Sequence, residues 1–176
     1  MRVTKLLGLP VVDLSVARVL GFVSDALLDP ATGRVEALDV QPRDGTGERV
    51  AARRVRCVGS RAVMLQGGAT ELLHSAGDNE HWVNTQALVG LEVLTDSGDG
   101  VGHLADAHFN TDTLAIEAYE LATPFWERWL GVSGLIRPEE VLACSSELMI
   151  VPSARSVIEE EEAVPRIEID QDGAKG

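Results

Sequence analysis

Cysteine, aromatic residues and positive charge are all scarce in this sequence of 176 residues. Its two cysteines are too few for a disulfide framework, and no paired Cys or His spacing typical of a structural zinc site is present. No stretch approaches the roughly 18 consecutive apolar residues of a membrane-spanning helix, and residues 1–9 lack the pattern of a secretory signal. We therefore expect a cytoplasmic protein that does not insert into a membrane.

The positive charge that is present is unevenly distributed. The chain has 15 Lys and Arg against 28 Asp and Glu, for a net charge of -13. Residues 1–75 carry +2, residues 76–152 carry -11 and residues 153–176 carry -4. Such an acidic balance argues against nucleic acid or anionic lipid as the partner of the whole surface.

The charge difference between the halves has two interpretations. The two surfaces can differ in charge without contacting each other, or the halves can attract each other across a shared interface. In the second case the basic side is a cluster of five arginines: Arg49, Arg53, Arg54, Arg56 and Arg61.

Hydrophobic periodicity has the spacing of strands. Short apolar or alternating runs are separated by Asp, Pro, Gly and Thr, which are turn residues. The runs in the first half are residues 11–14, 20–23, 35–40, 55–58 and 62–65. This pattern predicts a small all-β unit of about five strands.

The second half repeats the first. An offset of 81 positions aligns Gly21 with Gly102 and Asp25 with Asp106, and an offset of 86 further along aligns Val55 with Val141. The offsets change in predicted loops, where insertions cost little because loop-closure entropy grows slowly with length. The sequence therefore predicts two similar units in tandem.

The run "GLPVVDLSVARVLGFVSDALLDPATGRVEALDV" resembles the PRC-barrel family, which includes the cytoplasmic domain of the photosynthetic reaction-centre H subunit and the C-terminal domain of a ribosome maturation factor. The matching positions in the first copy are Gly8, Val11, Val12, Asp13, Gly21, Val23, Asp25, Asp29, Thr32, Gly33 and Val35. The second copy keeps Gly90, Val93, Gly102 and Asp106, with Leu114 in place of Gly33. The resemblance implies an all-β fold of two small PRC-barrel-like β-barrels in tandem.

This alignment sets the predicted domains. Residues 1–67 form the first PRC-barrel-like domain, 68–86 a linker, 87–152 the second domain and 153–176 an acidic, disordered tail. The tail contains the run Glu159 to Glu162 and too few apolar residues to fold alone.

No catalytic constellation emerges from the sequence. The four histidines lack a metal-binding spacing, and no group is placed to activate Cys57 or Cys144 as a nucleophile. Asp13, Asp25 and Asp29 are interpreted as structural carboxylates that bind nearby backbone N–H groups in turns. We expect a protein that is not an enzyme and has no cofactor and no metal.

An aromatic insertion distinguishes the second copy. Phe125, Trp126, Trp129 and Leu130 lie within six residues. A short helix is predicted between Pro124 and Gly131, and it would place Trp126, Trp129 and Leu130 on one face. That face either plugs the open end of its own barrel or anchors a partner, because aromatic residues dominate interface hot spots.

The predicted function is that of a non-catalytic cytoplasmic assembly or docking module. The resemblance implies this role, and the partner would be another protein or, in a homodimer, a second copy. The predicted partner-binding residues are Phe125, Trp126, Trp129, Leu130, Arg53 and Arg54. The alternative is a ribosome- or RNA-associated maturation factor, although the arginine cluster lacks the interleaved aromatics of a nucleic-acid surface. An enzyme is the third hypothesis.

Overall fold

The structure is a computed structural model that describes residues 1–43, 45–66, 79, 81–122 and 134–153. These residues form two curled half-barrel sheets in tandem, so the predicted all-β architecture with two units is confirmed. The helix predicted around Trp126 and the acidic tail lie outside the described residues.

The first sheet contains the strands of the first unit and one strand of the second. Its strands are β1 (Pro10–Asp13), β2 (Arg18–Asp29), β3 (Arg34–Pro42), β4 (Glu48–Ala51), β5 (Val55–Val58) and β6 (Val63–Leu65). They lie in the order β4-β3-β2-β1-β6-β5, and β7 (Val83–Asn84) pairs with β2. One-turn 3₁₀ helices occupy Val3–Leu6 and Ala52–Arg54.

The second sheet repeats this arrangement. Its strands are β8 (Glu92–Thr95), β9 (Gly100–Phe109), β10 (Ile116–Leu121), β11 (Leu135–Ile136), β12 (Ala143–Cys144) and β13 (Leu148–Val151), in the order β11-β10-β9-β8-β13-β12. The short helix α1 (Thr85–Leu88) precedes β8, and a 3₁₀ helix at Pro138–Glu140 precedes β12. In each sheet the first and last strands of the unit, β1 with β6 and β8 with β13, pair in parallel.

A bulge at a glycine bends each unit in the same way. Val11 pairs with Gly21 and Val12 with Val19, which leaves one extra residue on β2. Val93 pairs with Gly102 and Leu94 with Gly100, which leaves one extra residue on β9. At Gly21 a Cβ atom would lie 2.8 Å from the carbonyl carbon of Gln41 and closer still to its oxygen. The bend of the first unit therefore requires glycine at position 21.

The two units are related by a pseudo-two-fold axis. The amide of Val35 donates to the carbonyl of Leu114, and the amide of Ile116 donates to the carbonyl of Gly33. Both pairs exchange under the same offset of 81 residues that the sequence repeat shows. The buried apolar side chains of both units join one continuous core, so the interface between the units is part of that core.

The turn at Leu114 keeps the shape of the turn at Gly33 although it lacks the glycine. Leu114 has φ 58 and Gly33 has φ 62, and each amide donates to the carbonyl four residues earlier. A leucine in this conformation costs about 1–2 kcal/mol. Burial of the Leu114 side chain in the shared core offsets that cost.

Residues 83–86, which the sequence places in the linker, have defined structure. They form β7 and the start of α1, and β7 pairs with Leu27 and Leu28 of the first unit. The predicted domain boundaries themselves stay a prediction.

Candidate interaction surfaces

The N-terminal arm of each unit packs on the opposite unit. The first arm, residues 1–9, places Thr4 against Asp106. The Thr4 amide donates to Asp106 Oδ1 at 3.2 Å, and the Thr4 hydroxyl donates to Oδ2. Asp106 also accepts from the amide of Ala107 at 2.8 Å. A carboxylate with 4% exposure is thus satisfied by donors from both units.

The second arm, residues 83–91, makes the reciprocal contact. The Thr85 amide donates to Asp25 Oδ1 at 3.0 Å, and the Ala26 amide donates to the same oxygen at 2.8 Å. Asp25 therefore binds backbone N–H groups, as expected, but it lies within β2 instead of in a turn, and one donor comes from the second unit. Asp25 and Asp106 therefore hydrogen-bond the two units to each other.

A smaller charged cluster joins the units at the surface. Arg2 of the first unit forms an ion pair with Glu120 of the second at 2.7 Å. His108 Nε2 lies 2.8 Å from the other carboxylate oxygen of Glu120. The hydrogen bond with His108, and then the charge of Arg2, lower the pKa of Glu120.

The outer face of the first unit carries an exposed apolar surface that we call the apolar patch. It consists of Val12, Leu14, Val16, Val19, Phe22 and Met64. Val12 lies between its register partners Val19 on β2 and Met64 on β6, which makes one apolar row across three strands. The hairpin between β1 and β2 extends this row through Leu14 and Val16, which are 47% and 62% exposed.

Phe22 completes the apolar patch one row further along. It pairs with Pro10 across the strands, is 38% exposed, and the guanidinium of Arg43 lies 5.9 Å from the centre of its ring. That distance permits a cation–π contact, which holds the arginine over the ring. Strand alternation explains the orientation, because the neighbours Gly21 and Val23 are buried.

The second unit has the same rows with different side chains. Leu94 lies between Gly100 and Ile150, and Glu92 pairs with His103. The turn between β8 and β9 places Asp96 where the first unit has Leu14. The amide and hydroxyl of Ser153 donate to Asp96 and lower its pKa. The second unit therefore presents a carboxylate, Asp96, in place of Leu14, and a glycine, Gly100, in place of Val19.

Fixed charges around these two outer faces have opposite signs. The arginine rim of the first unit consists of Arg18, Arg53, Arg54, Arg56 and Arg61; Asp13, the one carboxylate in residues 10–24 and 52–66, is buried. The acidic rim of the second unit consists of Glu92, Asp96, Asp99, Glu139, Glu140 and Glu147, and residues 92–105 and 138–152 contain no Lys or Arg.

Several of these charges exchange sign at equivalent positions. Under the offset of 81, Arg18 corresponds to Asp99. Under the offset of 86, Arg53 and Arg54 correspond to Glu139 and Glu140, and Arg61 corresponds to Glu147. The two units therefore share a backbone arrangement but carry opposite charges at these four surface positions.

The predicted site residues fall in different places. Arg53 and Arg54 lie in the 3₁₀ helix before β5, with Arg53 exposed and Arg54 half-buried. Arg49 forms a bidentate ion pair with Asp39 of its own unit, with atoms 2.6 and 2.9 Å apart. Phe125, Trp126, Trp129 and Leu130 lie outside the described residues. The apolar patch was not predicted from the sequence, although the alternation of Val12, Leu14 and Val16 indicates an outward apolar face.

The two cysteines are free and half-buried. Burial raises the pKa of the Cys144 thiol to about 11, which disfavours the nucleophilic thiolate. Within the described ranges, no three His, Cys, Asp or Glu side chains are grouped to hold a metal ion. The helices in the part of the chain that the structure describes include none long and apolar enough to cross a membrane.

The fold and its outer faces define a β-protein of two half-barrels with unlike surfaces. Residues 1–63 match the family model of the PRC-barrel domain, a family of protein-interaction and assembly modules. The match covers the first unit from its arm to the start of β6. No curated protein matches the chain.

Proposed function

We propose that this protein is a non-catalytic assembly module that acts in the cytoplasm and binds another protein through the apolar patch. The observation that carries the proposal is the row of exposed Val19 with half-buried Val12 and Met64, which exposed Leu14 and Val16 extend. Isolated exposed apolar residues are ordinary, whereas a contiguous exposed apolar surface marks an interaction site. The family match of the first unit supports a role in assembly.

The second unit argues that the patch has a purpose other than folding. Its equivalent positions form the same strands with Asp96, Gly100 and His103. Folding of this topology therefore does not require apolar side chains at the positions of Leu14, Val19 and Phe22. The predicted aromatic anchor around Trp126 and Trp129 would add a second contact on the other unit.

Site-specific photo-crosslinking in the native host tests the proposal. A benzophenone amino acid replaces Val16 in the full chain, and the control carries it at Lys5, an exposed position of the first arm. We expect a discrete crosslinked product from position 16, whose second component is identified by mass spectrometry. Equal crosslinking at both positions, or none at position 16, would contradict the proposal.

Purified components then test the contribution of the patch. Binding of the identified partner is compared for the wild type, Phe22→His and the control His103→Phe. Because truncating a central aromatic anchor costs about 2 kcal/mol or more, we expect Phe22→His to weaken binding at least about thirtyfold. If RNA is recovered instead of protein, the alternative of an RNA-associated factor replaces this proposal.

A further inference from the structure

We infer that the outer face of the first unit binds the outer face of the second unit in another copy of this chain. The inference rests on the proposed function and names the partner. It is carried by the opposite charges of the arginine rim and the acidic rim, which lie on strands, turns and 3₁₀ helices at equivalent positions of the two units.

The arginine rim and the acidic rim have opposite charges. Residues 10–24 and 52–66 contain the arginine rim and one carboxylate, the buried Asp13, so this surface attracts an acidic partner. Potentials of opposite sign steer association and fix its orientation. The acidic rim supplies six carboxylates on a surface of the same shape. Two arginine rims would repel each other, so a contact between two first units is unfavourable.

The two outer faces also match in backbone geometry. They have the same strand order, the same parallel strand pair and the same bulge. When such faces meet about a local two-fold axis, equivalent positions close to the axis lie opposite each other. Arg18 then faces the region of Asp99, and Arg61 faces the region of Glu147. Sign inversion at equivalent positions suits this contact.

Both outer faces have apolar side chains at their centre. Between the charges, the first unit presents Val12 and Met64 and the second presents Leu94 and Ile150, all half-buried in the single chain. Burying these side chains together adds the apolar core that interfaces have inside a polar rim.

The contact is heterologous, because a first unit binds a second unit. The bound pair therefore keeps one free face of each kind. Such contacts form rings when the rotation closes and filaments when it does not. The expected product is a series of oligomers that grows with concentration and is weakened by salt.

A charge-exchange experiment on the full chain tests this contact. Variant one carries Arg18→Asp and Arg61→Glu, so its first face is acidic at the two positions that meet Asp99 and Glu147. Variant two carries Asp99→Arg and Glu147→Arg, so its second face is basic at the two positions that meet Arg18 and Arg61. Sedimentation velocity is measured over a range of concentrations at low ionic strength, and thermal melts confirm that each variant is folded.

We expect the wild type to associate and each variant alone to show at least a tenfold weaker association, because like charges then oppose each other. An equimolar mixture of the two variants should associate again, since its faces are complementary. Lys5→Glu, a charge reversal in the first arm, is the control and should associate as the wild type does. Raising the ionic strength to about 1 M, where the Debye length is about 3 Å, should weaken all of these assemblies.

Three results would overturn the inference. They are a wild type that stays monomeric at every concentration, variants that associate as strongly as the wild type, and a mixture that fails to associate. Association that appears only after residues 154–176 are deleted would identify the acidic tail as the occupant of the arginine rim. A monomeric wild type that still crosslinks to a different protein from position 16 would leave the proposed function standing without this inference.

Discussion

The two units of this protein differ on the outside and agree on the inside. Each has six strands in equivalent order, a glycine bulge on its long strand and a left-handed residue in the following turn. On the outer face, however, Leu14 corresponds to Asp96 and Phe22 corresponds to His103. The comparison teaches that inward side chains and special backbone positions specify this fold, while outward positions are available for binding.

The bulge glycines are the strictest test of that comparison, and we expect the largest effect from Gly21→Ala. The added Cβ would overlap the backbone of Gln41 and come within 2.9 Å of the Pro42 Cα atom, and backbone cannot move aside as a side chain can. We expect a loss of about 3 kcal/mol in the free energy of unfolding, measured by urea denaturation. Gly100→Ala, where the new Cβ meets nothing within 4 Å, is the control and should change little. Equal effects would mean that the bend does not depend on Gly21.

Asp106 and Asp25, whose carboxylates accept hydrogen bonds from the opposite unit, provide the next test. Asp106→Ala removes the acceptor for two donors of Thr4 and for the Ala107 amide, so we expect a loss of about 2–3 kcal/mol. Asp25→Ala removes the acceptor for two amides at a half-buried site and should cost about 1–2 kcal/mol. Chemical denaturation of both variants gives the comparison. A larger loss for Asp25→Ala would show that the two arms are fastened differently.

The equivalent turns at Gly33 and Leu114 allow a test with a smaller expected effect on stability. Gly33→Ala puts a side chain on a residue with φ 62, but its Cβ would lie 3.7 Å from Pro138, which is ordinary contact. The expected cost is therefore the conformational one alone, about 1 kcal/mol in the free energy of unfolding. Thermal melts measure it. Gly98→Ala, in an exposed turn with φ 87 and nothing within 4 Å of the new Cβ, tests a comparable conformational cost outside the interface. A loss above about 3 kcal/mol at position 33 would reveal a steric requirement that the turn geometry does not contain.

The surface ion pairs between the units give the smallest expected effect. The pKa of Glu120 is lowered in the folded protein, so its ion pair stabilises the fold above the ordinary carboxyl pKa, and this stabilisation is lost as the pH falls through the lowered value. Glu120→Gln should cost less than about 1 kcal/mol at neutral pH, because the pair is partly exposed. The difference from the wild type should disappear in strong acid. A difference that persists there, in melts recorded across the acid range, would assign the effect to packing.

The sequence was sufficient to predict the fold class and the repeat. Alternating apolar runs and glycine spacing marked the strands, and the offset of 81 residues that aligned Gly21 with Gly102 also relates Val35 to Ile116 at the interface. The contact of each arm with the opposite unit could not be predicted from the sequence. Thr4 and Asp106 are 102 residues apart, and no local sequence pattern indicates that two such polar residues are in contact.

Local signals also misled the interpretation of single residues. Asp25 has the neighbours of a turn carboxylate, yet tertiary packing places it inside β2, where the second arm supplies its partner. Leu114 lacks the glycine that its turn favours, and only the shared core explains why the turn survives. The apolar patch was readable by comparing the two copies position by position, because Leu14 and Asp96 align under the repeat.

The pseudo-two-fold axis that relates Gly33 to Leu114 has a consequence for the electric dipole of the molecule. Two identical subunits about such an axis would have no electric dipole perpendicular to it, because every charge on one side would recur on the other. Covalent fusion of the two halves lets positive charge collect on one and negative charge on the other. The molecule thereby acquires an electric dipole that runs from the second unit to the first, and it approaches any charged partner in a preferred orientation before contact.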